Sequence, residues 1–516
     1  MRKKILALAA LPLALAFLGG CGGSGHSTPP PSNNVPVVVS ISDTTPAAGE
    51  VLPTGVNLVS VQATVTGVCL LTSSDTGDTT CPTGQTIFPA SGGGPSTVQF
   101  SALSNPSQLD VVANAAVTAN TYVGAFITFS SPISATVSVD PGANFTDGTN
   151  SCDNTNAVGT PPIFCQLSPV VSATSATVTF PSAITLTAGT PASFIVGLDV
   201  TGSLVSTGSG PATLSFNPIV SVTQGAVGAD GNLIDVNNVS GTVSSISATS
   251  ITLTDNATGL PLTLNIGSST TVTNYNTCAT PNTIACVQLG DFDTLSYSAS
   301  NTNPVQFTAD NIAGNPGITS AGAFQGTIVE TGATPEVVVT AVPAGNIIGI
   351  SVGQVLGLGF TGTAVFSNST GAALPAGSSF AAPGDLVVGQ NVFIDACPLV
   401  AGVATCAFVP PVVGPPAVIG SVTADAIELL PGNVSGTFTA PAAPNFTVTG
   451  LNSFYTGNGV TSLTGTTSAS TTYSGTVSGG FSSLTVGNTY FYTGYLANSG
   501  TPATPNLLTT GIFGTE

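Results

Sequence analysis

Side-chain cations are confined to the extreme N-terminus of this 516-residue chain. The basic residues are Arg2, Lys3 and Lys4, and the single histidine is His26. The rest of the chain must fold without side-chain ion pairs. It also has no cation to hold phosphate groups and no imidazole for general base catalysis near neutral pH. The sequence therefore argues against nucleic-acid binding and against histidine-dependent hydrolysis.

The first twenty residues have the layout of a secretory signal peptide. The basic residues precede an apolar run at residues 5–18, which is shorter than a bilayer-spanning helix requires. Residues 18–21, Leu-Gly-Gly-Cys, resemble the lipobox of bacterial lipoproteins, so we expect Cys21 to be lipidated and to become the mature N-terminus. Gly22, in place of aspartate, favours an outer-membrane destination, facing either the periplasm or the cell surface.

Residues 21–35 predict a flexible tether, because they are rich in Gly, Ser and Pro and show no apolar periodicity. The partner predicted for this end of the chain is the membrane, reached through the lipid on Cys21. No later stretch of the sequence is long and apolar enough to predict a membrane span.

Cysteine spacing predicts an oxidising compartment. Eight cysteines remain besides Cys21, and they fall into four close pairs along the sequence. Short loops cost the least entropy to close, and an exported protein would hold such pairs as disulfides. The predicted pairs are Cys69/Cys81, Cys152/Cys165, Cys278/Cys286 and Cys397/Cys406. Zinc is the competing interpretation, but there is no Cys-x-x-Cys and no histidine ligand in the folded region.

The sequence patterns are those of β-strands. Residues 135–139, 176–180 and 250–254 alternate apolar and polar side chains, and they are rich in β-branched residues. After the signal, no apolar pattern of helical period is sustained. Only 5% of the residues are charged, but 42% are hydrophobic, which is enough to form cores. We therefore predict an all-β protein with a surface of Ser, Thr, Asn, Gln and Gly.

The C-terminal half contains three degenerate copies of one unit. The copies open alike, at residues 239–243, 324–328 and 434–438, and each later has an apolar-Gly-polar segment, at residues 289–291, 388–390 and 486–488. Strands this short suit a small closed barrel, which leaves no exposed edge. The predicted domains are a β-sandwich-like domain at residues 36–222, then barrel-like repeats at residues 238–316, 322–430 (enlarged by the Cys397/Cys406 hairpin) and 432–516.

Four short segments resemble a family of uncharacterised bacterial lipoproteins. They are residues 38–43, 119–124, 194–204 and 216–220. In that family an N-terminal β-sandwich-like domain of unknown function is followed by small β-barrel repeats of unknown function. The resemblance implies this architecture and an envelope location, and it carries no catalytic residues over to this chain.

Calcium is the most credible bound ligand, because it needs only oxygen donors. Asp147, Asn150 and Asp153 lie in one loop beside Cys152, and Asp291 with Asp293 forms a second acidic pair. Neither segment has the spacing of an EF-hand. The alternative is that these residues only form turns, for which Asp, Asn and Gly are common choices.

The enzymatic motifs are weak. Asp75-Thr76-Gly77 matches the aspartic-protease triplet, but that chemistry needs a second such carboxylate, and the triplet occurs once in the chain. Glycoside hydrolysis needs a carboxylate pair, which 22 acids could supply, but no Trp is present to form a platform for a sugar. Serine nucleophiles have no histidine or lysine to activate them beyond the N-terminal segment.

Five of the eight tyrosines belong to the last repeat. In a strand, Tyr490 and Tyr492 point to the same face. Together with Tyr495 they are candidates for a recognition face, because tyrosine is favoured at interfaces. The alternative is that this stripe is the half-buried wall of a barrel.

From the sequence we predict a lipid-anchored, exported cell-envelope protein with a structural, adhesive or scaffolding role. We expect it to be non-enzymatic and to have no cofactor, with calcium as the one option. The expected partners are the membrane and an envelope or surface protein, but not nucleic acid. The alternative is a periplasmic module that binds a small ligand or calcium, and a hydrolase is the third hypothesis.

Overall fold

A computed structural model provides the fold of the chain. It describes residues 33–43, 52–75, 77–89, 98–102, 110–158, 162–207, 212–225, 227–228, 231–256, 260–275, 278–279, 281–314, 322–343, 348–369, 374–396, 399–400, 403–404, 408–409, 420–451, 453–500 and 503–514. The predicted signal, Cys21 and most of the predicted tether lie outside these residues.

Regular structure in the described residues is almost entirely β-strand, which confirms the predicted fold class. The helical elements are α1 (Val200–Ser203), α2 (Ser453–Gly457) and three short 3-10 helices at Ile284–Cys286, Pro383–Asp385 and Phe481–Ser483. None of the helices in the described part of the chain is long and apolar enough to cross a membrane.

The described part of the N-terminal domain contains fifteen strands. They are β1 (Asn34–Asp43), β2 (Val56–Leu71), β3 (Thr86–Phe88), β4 (Val98–Ala102), β5 (Asp110–Thr118), β6 (Thr121–Val139), β7 (Asn144–Thr146), β8 (Ser151–Asp153), β9 (Ile163–Leu167), β10 (Val170–Val171), β11 (Ser175–Thr185), β12 (Ala192–Asp199), β13 (Leu204–Thr207), β14 (Ala212–Phe216) and β15 (Ile219–Gly225).

These strands form three sheets around one hydrophobic core. The sheets have the orders β15-β12-β1-β5, β11-β6-β2-β3 (with β4 and β9 added on β2 and β6) and β10-β14-β7-β8 (with β13 added on β14). The core takes buried residues from all three, including Val37, Leu58, Phe145 and Phe216. Alternating side chains of facing sheets fill the interior of a sandwich in this way.

Among the described residues of the C-terminal half, eighteen strands follow. They are β16 (Asn232–Ile246), β17 (Ser250–Asp255), β18 (Pro261–Thr273), β19 (Phe292–Ser300), β20 (Phe307–Gly314), β21 (Ala323–Glu330), β22 (Glu336–Ala341), β23 (Val355–Asn368), β24 (Asn391–Asp395), β25 (Leu399–Val400), β26 (Val403–Ala404), β27 (Phe408–Val409), β28 (Gly420–Leu430), β29 (Gly432–Ala442), β30 (Asn445–Thr449), β31 (Leu463–Gly475), β32 (Thr489–Asn498) and β33 (Pro505–Gly514).

Three closed five-stranded barrels account for most of these strands. Barrel 1 has the order β16-β17-β18-β20-β19, and barrel 3 has the order β29-β30-β31-β33-β32. Barrel 2 closes as β23-β22-β21-β24-β28 through a β23–β28 pairing, and β27 is added at β28. In every barrel, the third and fifth strands in chain order are neighbours and run parallel. These pairs are β18 with β20, β23 with β28 and β31 with β33. This is the strand order of the OB-fold, a Greek-key barrel.

The hairpin predicted in the middle repeat is represented by β25 paired with β26. Cys397 and Cys406, the predicted disulfide of that hairpin, lie outside the described residues. Their pairing stays a prediction.

The apolar-Gly-polar segments of the three repeats form the same turn. In barrel 1, the amide of Gly290 donates to Val243, and Val243 donates to the carbonyl of Asp291, both at 2.9 Å. The same reciprocal pair joins Gly389 to Ile328 and Gly487 to Phe438. The three glycines have φ values of 88°, 91° and 93°, a backbone conformation that other residues adopt only with strain.

Barrels 1 and 3 also share a side-chain hydrogen bond between the third and fifth strands, called here the hydroxyl brace. A bulge interrupts the pairing of these two strands, and at the bulge a threonine hydroxyl of the third strand donates to a backbone carbonyl of the fifth strand. Thr270 Oγ1 donates to Ala309 at 2.6 Å, and Thr471 Oγ1 donates to Thr509 at 2.8 Å. Barrel 2 has Ala364 at the corresponding position, so this hydroxyl brace is specific to the two outer barrels.

Barrel 2 is packed against both of the other barrels. The rings of Phe292 in barrel 1 and Phe393 in barrel 2 lie 5.1 Å apart between their centroids. On the barrel 3 side, the hydroxyls of Ser369 and Tyr495 are hydrogen-bonded at 2.9 Å. All residues from Asn33 to Glu516 belong to one compact unit, so these contacts join the barrels into a single body.

The sandwich domain contacts barrel 2 through a buried turn. Thr136 Oγ1 on β6 donates to the carbonyl of Gly353 at 2.6 Å. Around this contact, Val59 and Phe164 of the sandwich share a buried cluster with Val355 of barrel 2 and with residues of barrel 3. Both a buried apolar cluster and a neutral hydrogen bond therefore join the sandwich to barrel 2.

We predict that Gly389→Ala destabilises the protein more than Gly487→Ala does. Both changes force an alanine to a φ near +90°, which costs about 1–3 kcal/mol. At Gly389 the new Cβ would also lie 2.4 Å from the ring of Tyr455 in barrel 3, whereas nothing lies within 4 Å of a Cβ at Gly487. Urea denaturation of the two variants measures the difference, and equal losses would contradict the packing of barrel 3 on this turn.

Candidate functional site

The loop predicted to bind calcium is organised around Asp147. Its carboxylate is buried and accepts hydrogen bonds from the backbone amides of Thr149, Asn150 and Ser168 at 2.6–2.9 Å. The side-chain amide of Asn150 donates to the same carboxylate at 3.0 Å. Burial alone would raise the pKa of Asp147, but these donors outweigh it and hold the pKa below its usual value.

The three predicted calcium ligands are therefore not assembled as an oxygen-lined site. Asn150 presents its nitrogen to Asp147, and Asp153 is exposed on β8. No group of three or more His, Cys, Asp or Glu residues suited to a metal occurs in the described part of the chain. The geometry favours the alternative, in which Asp147 closes the loop beside the Cys152–Cys165 disulfide.

We predict that Asp147→Ala destabilises the N-terminal domain by roughly 2–4 kcal/mol, because several amides would lose their acceptor in a buried place. Asp153→Ala, in the same loop but exposed, serves as the control and should change stability by less than about 0.5 kcal/mol. Thermal unfolding with and without calcium provides the readout. A large calcium-dependent rise in melting temperature that Asp147→Ala abolishes would restore the calcium hypothesis.

The two residues of the second acidic pair, Asp291 and Asp293, lie in different environments. Asp293 is fully buried in barrel 1, where the Tyr275 hydroxyl donates to its Oδ2 at 2.6 Å. Its Oδ1 has no hydrogen-bond partner among the residues that the structure describes. Asp291, at the turn, accepts the amide of Gln288 at 2.7 Å. Burial raises the pKa of Asp293 to about 7, and the charge of Asp291 adds to the rise while the Tyr275 hydroxyl opposes it.

The structure also brings together two carboxylates that sequence reasoning missed. Glu330 and Glu336 are directly opposite each other on β21 and β22. Burial raises the pKa of Glu336 to about 7, and the charge of Glu330 adds to the rise. The signal that would have found this pair is the short turn between the two strands, which fixes their register.

The buried acids make a testable prediction about pH. A carboxyl whose pKa is raised in the folded state stabilises the protein fully at low pH and loses that contribution as the pH rises through the folded value. For Asp293 the window lies between about pH 4 and pH 8, and the loss is on the order of 2–4 kcal/mol. The unfolding free energy of the wild type should therefore be higher at pH 5 than at pH 9.

The matched variant is Asp293→Asn, which keeps the shape of the side chain and cannot ionise. It should show a smaller fall in unfolding free energy between pH 5 and pH 9, measured by urea denaturation. An unchanged fall would mean that Asp293 is not protonated in the native barrel.

Asp75, the acid of the aspartic-protease triplet, lies in an ordinary turn. Asp75 Oδ2 accepts the backbone amide of Thr72 at 3.0 Å and the side-chain amide of Gln85 at 3.1 Å. Hydrogen bonds from the Thr72 hydroxyl and amide hold the pKa of Asp75 below its usual value. The Cys69–Cys81 disulfide closes the same loop. The position of Asp75 thus agrees with a turn-forming role and not with a shared-proton dyad.

The tyrosine stripe is not an exposed recognition face, so that prediction is wrong. Tyr490, Tyr492 and Tyr495 are buried. The rings of Tyr490 and Tyr492 pack in the core of barrel 3 against Phe438 and Phe446. Tyr495 reaches barrel 2 and belongs to the buried cluster of that barrel. The stripe is barrel wall and an interface within the chain, which period-two alternation alone does not distinguish from a surface stripe.

OB-fold barrels commonly bind oligonucleotides or oligosaccharides on the face of their second and third strands. In barrel 1 this face is β17 with β18, where the Thr252 and Thr263 hydroxyls are paired at 3.0 Å. Neither strand contains an aromatic residue. In barrel 2, Val338 and Val355 of this face are buried. The β17–β18 face of barrel 1 therefore lacks the aromatic stacking platforms that nucleic-acid bases and sugars use.

Three of the four predicted disulfides are present. They are Cys69–Cys81, Cys152–Cys165 and Cys278–Cys286. Each closes a short loop within one domain, as the spacing predicts. These disulfides indicate an oxidising, exported environment.

Comparison with known proteins adds no further assignment. No protein-family model matches the chain, and no curated protein matches it.

Proposed function

We propose that the mature chain is a non-enzymatic scaffold of the cell envelope, held at the membrane by a lipid on Cys21. The observation that carries this proposal is that the reactive side chains of the chain serve to hold the fold together. Asp75 and Asp147 each close a loop, and Tyr490, Tyr492 and Tyr495 fill barrel 3 and its contact with barrel 2. An enzyme would instead present such groups together in a cleft open to a substrate.

The way in which the domains are joined supports a structural role. Apolar clusters and neutral hydrogen bonds connect the sandwich to barrel 2 and barrel 2 to both of its neighbours. Inter-domain contacts of this kind hold domains at fixed relative positions, whereas polar, sparse contacts permit domain motion. A rigid body on a lipidated tether can space or connect other envelope components.

The proposed location has three supports. The disulfides indicate export, residues 18–21 resemble a lipobox, and Gly22 favours the outer membrane over the inner one. The resemblance to uncharacterised bacterial lipoproteins agrees with this location. The surface lacks cations, so we propose that contacts with an envelope or surface protein use hydrogen bonds and apolar side chains, and that nucleic acid is not a partner.

We predict that Cys21→Ser releases the folded protein from the membrane, because the acyl chains are the proposed membrane link. Membrane fractionation and metabolic labelling with palmitate provide the readout, and the melting temperature of the released protein should equal that of the anchored one. His26→Ala, in the same tether, is the control and should stay lipidated. Unchanged membrane association of Cys21→Ser would contradict the anchor.

The scaffold role is tested by complementing a deletion strain with the wild type and with two variants. Wild type and the carboxyl variant Asp293→Asn/Glu336→Gln should both restore envelope integrity, measured as detergent resistance, whereas Cys21→Ser should not. A folded carboxyl variant that fails to complement would contradict the non-enzymatic role. So would hydrolase activity of the purified protein that disappears in that variant.

A further inference from the structure

Glu428 is a buried acid in barrel 2. It lies on β28 between Ile427 and Leu429, whose side chains belong to the core of barrel 2, so its own side chain points to the outer face of the barrel. Despite this direction, Glu428 is 0% exposed. Neither carboxyl oxygen has a hydrogen-bond partner among the described residues.

The outer face around Glu428 is the place where the three barrels meet. Phe393 on β24 is directly opposite Glu428, and its ring contacts Phe292 of barrel 1. Leu430, two residues along β28, belongs to the same apolar cluster. Toward barrel 3, the amide of Ser369 donates to the carbonyl of Leu429, next to Glu428, at 3.1 Å, and the hydroxyl of Ser369 is hydrogen-bonded to that of Tyr495 at 2.9 Å. Glu428 therefore lies under the contacts of barrel 2 with both neighbours.

No cation is available to neutralise this carboxyl. The titratable groups on the neighbouring elements are themselves acids or phenols: Asp425 on β28, Asp395 on β24, Tyr495 on β32, and Asp291 and Asp293, which flank Phe292 in barrel 1. On β23 the residue opposite Glu428 is Ser367. Lysine and arginine do not occur beyond residue 4, and the single histidine is His26.

Ionisation of Glu428 would therefore place an unpaired charge in a buried interface. Burying an unpaired charge carries one of the largest free-energy penalties in a protein interior. Burial accordingly raises the pKa of Glu428 well above its usual value. With a raised folded pKa, the contribution to stability is present at low pH and is lost as the pH rises. Water entering the junction would relieve the cost, and that requires the barrels to separate.

We propose that Glu428 is a pH-sensitive latch at the three-barrel junction. While its carboxyl is protonated, barrels 1 and 3 stay packed on barrel 2. When the carboxyl loses its proton at higher pH, the junction admits water and the outer barrels loosen. The latch follows from the placement of Glu428 alone and does not depend on the scaffold role.

The composition of the chain makes a direct titration feasible. It has only five glutamates, Glu50, Glu330, Glu336, Glu428 and Glu516, so protein labelled with carbon-13 at the glutamate carboxyl gives few signals. The Glu428 signal is assigned by its loss in Glu428→Gln. It should stay in the protonated position over the pH range in which an ordinary glutamate titrates, and it should move only at higher pH.

Hydrogen exchange of the full mature chain reports whether the junction opens. Wild type and Glu428→Gln are compared at the same pH, so that the intrinsic pH dependence of exchange cancels. At pH 5 peptides from β24 and β32 should exchange equally in the two proteins, and at pH 9 they should exchange about tenfold faster in the wild type. Glu330→Gln, in the same barrel, is the control and should behave like the wild type.

Two results would overturn the proposal. One is a Glu428 signal that titrates near pH 4–5 like an ordinary glutamate. The other is exchange in β24 and β32 that rises with pH equally in wild type and Glu428→Gln. If Glu428→Gln does not fold, Glu428→Met replaces it, and Glu330→Gln with Glu336→Gln assigns the remaining signals. The wild-type titration then decides, because the Glu428 signal and the exchange of β32 must change over the same pH range.

Discussion

The absence of cations from the folded region is the constraint on which the structure depends. A buried carboxylate in most proteins is neutralised by a nearby cation, but here the available partners are N–H and O–H donors. Where donors converge, as they do on Asp147, the carboxylate stays ionised and closes a loop. Where they are few or absent, as at Asp293 and Glu428, burial favours the protonated acid. These two outcomes account for the main differences between the buried acids.

The same constraint governs how the domains are joined. Without ion pairs, the interfaces use aromatic contacts and neutral hydrogen bonds, such as Phe292 on Phe393 and Ser369 with Tyr495. The repeat shows how one position can diverge within a shared fold. Three residues after the turn glycine, barrels 2 and 3 place Val392 and Tyr490 in their cores, whereas barrel 1 places Asp293 there. The acid is tolerated because the Tyr275 hydroxyl reaches it.

Local patterns predicted the strands, the repeated unit and the three disulfides of the described residues, because each depends on residues close together in sequence. Period-two alternation indicated strands such as β17, and Gly290 lies where the backbone requires a positive φ. Features that depend on packing between domains could not be predicted in this way. Glu428 follows the core residue Ile427, so the alternation along the strand predicts a solvent-facing side chain. Only the neighbouring barrels bury it. Tyr495 is hidden by the same contacts.

The most direct test of this account is the number of protons released when the native protein unfolds at pH 7. It is obtained by calorimetry in two buffers with different ionisation enthalpies. Buried, protonated carboxyls in the native state regain ordinary pKa values on unfolding, so the account predicts the release of at least about one proton per molecule. Zero release, or an uptake of protons, would show that these carboxyls are ionised in the native fold and would contradict the account.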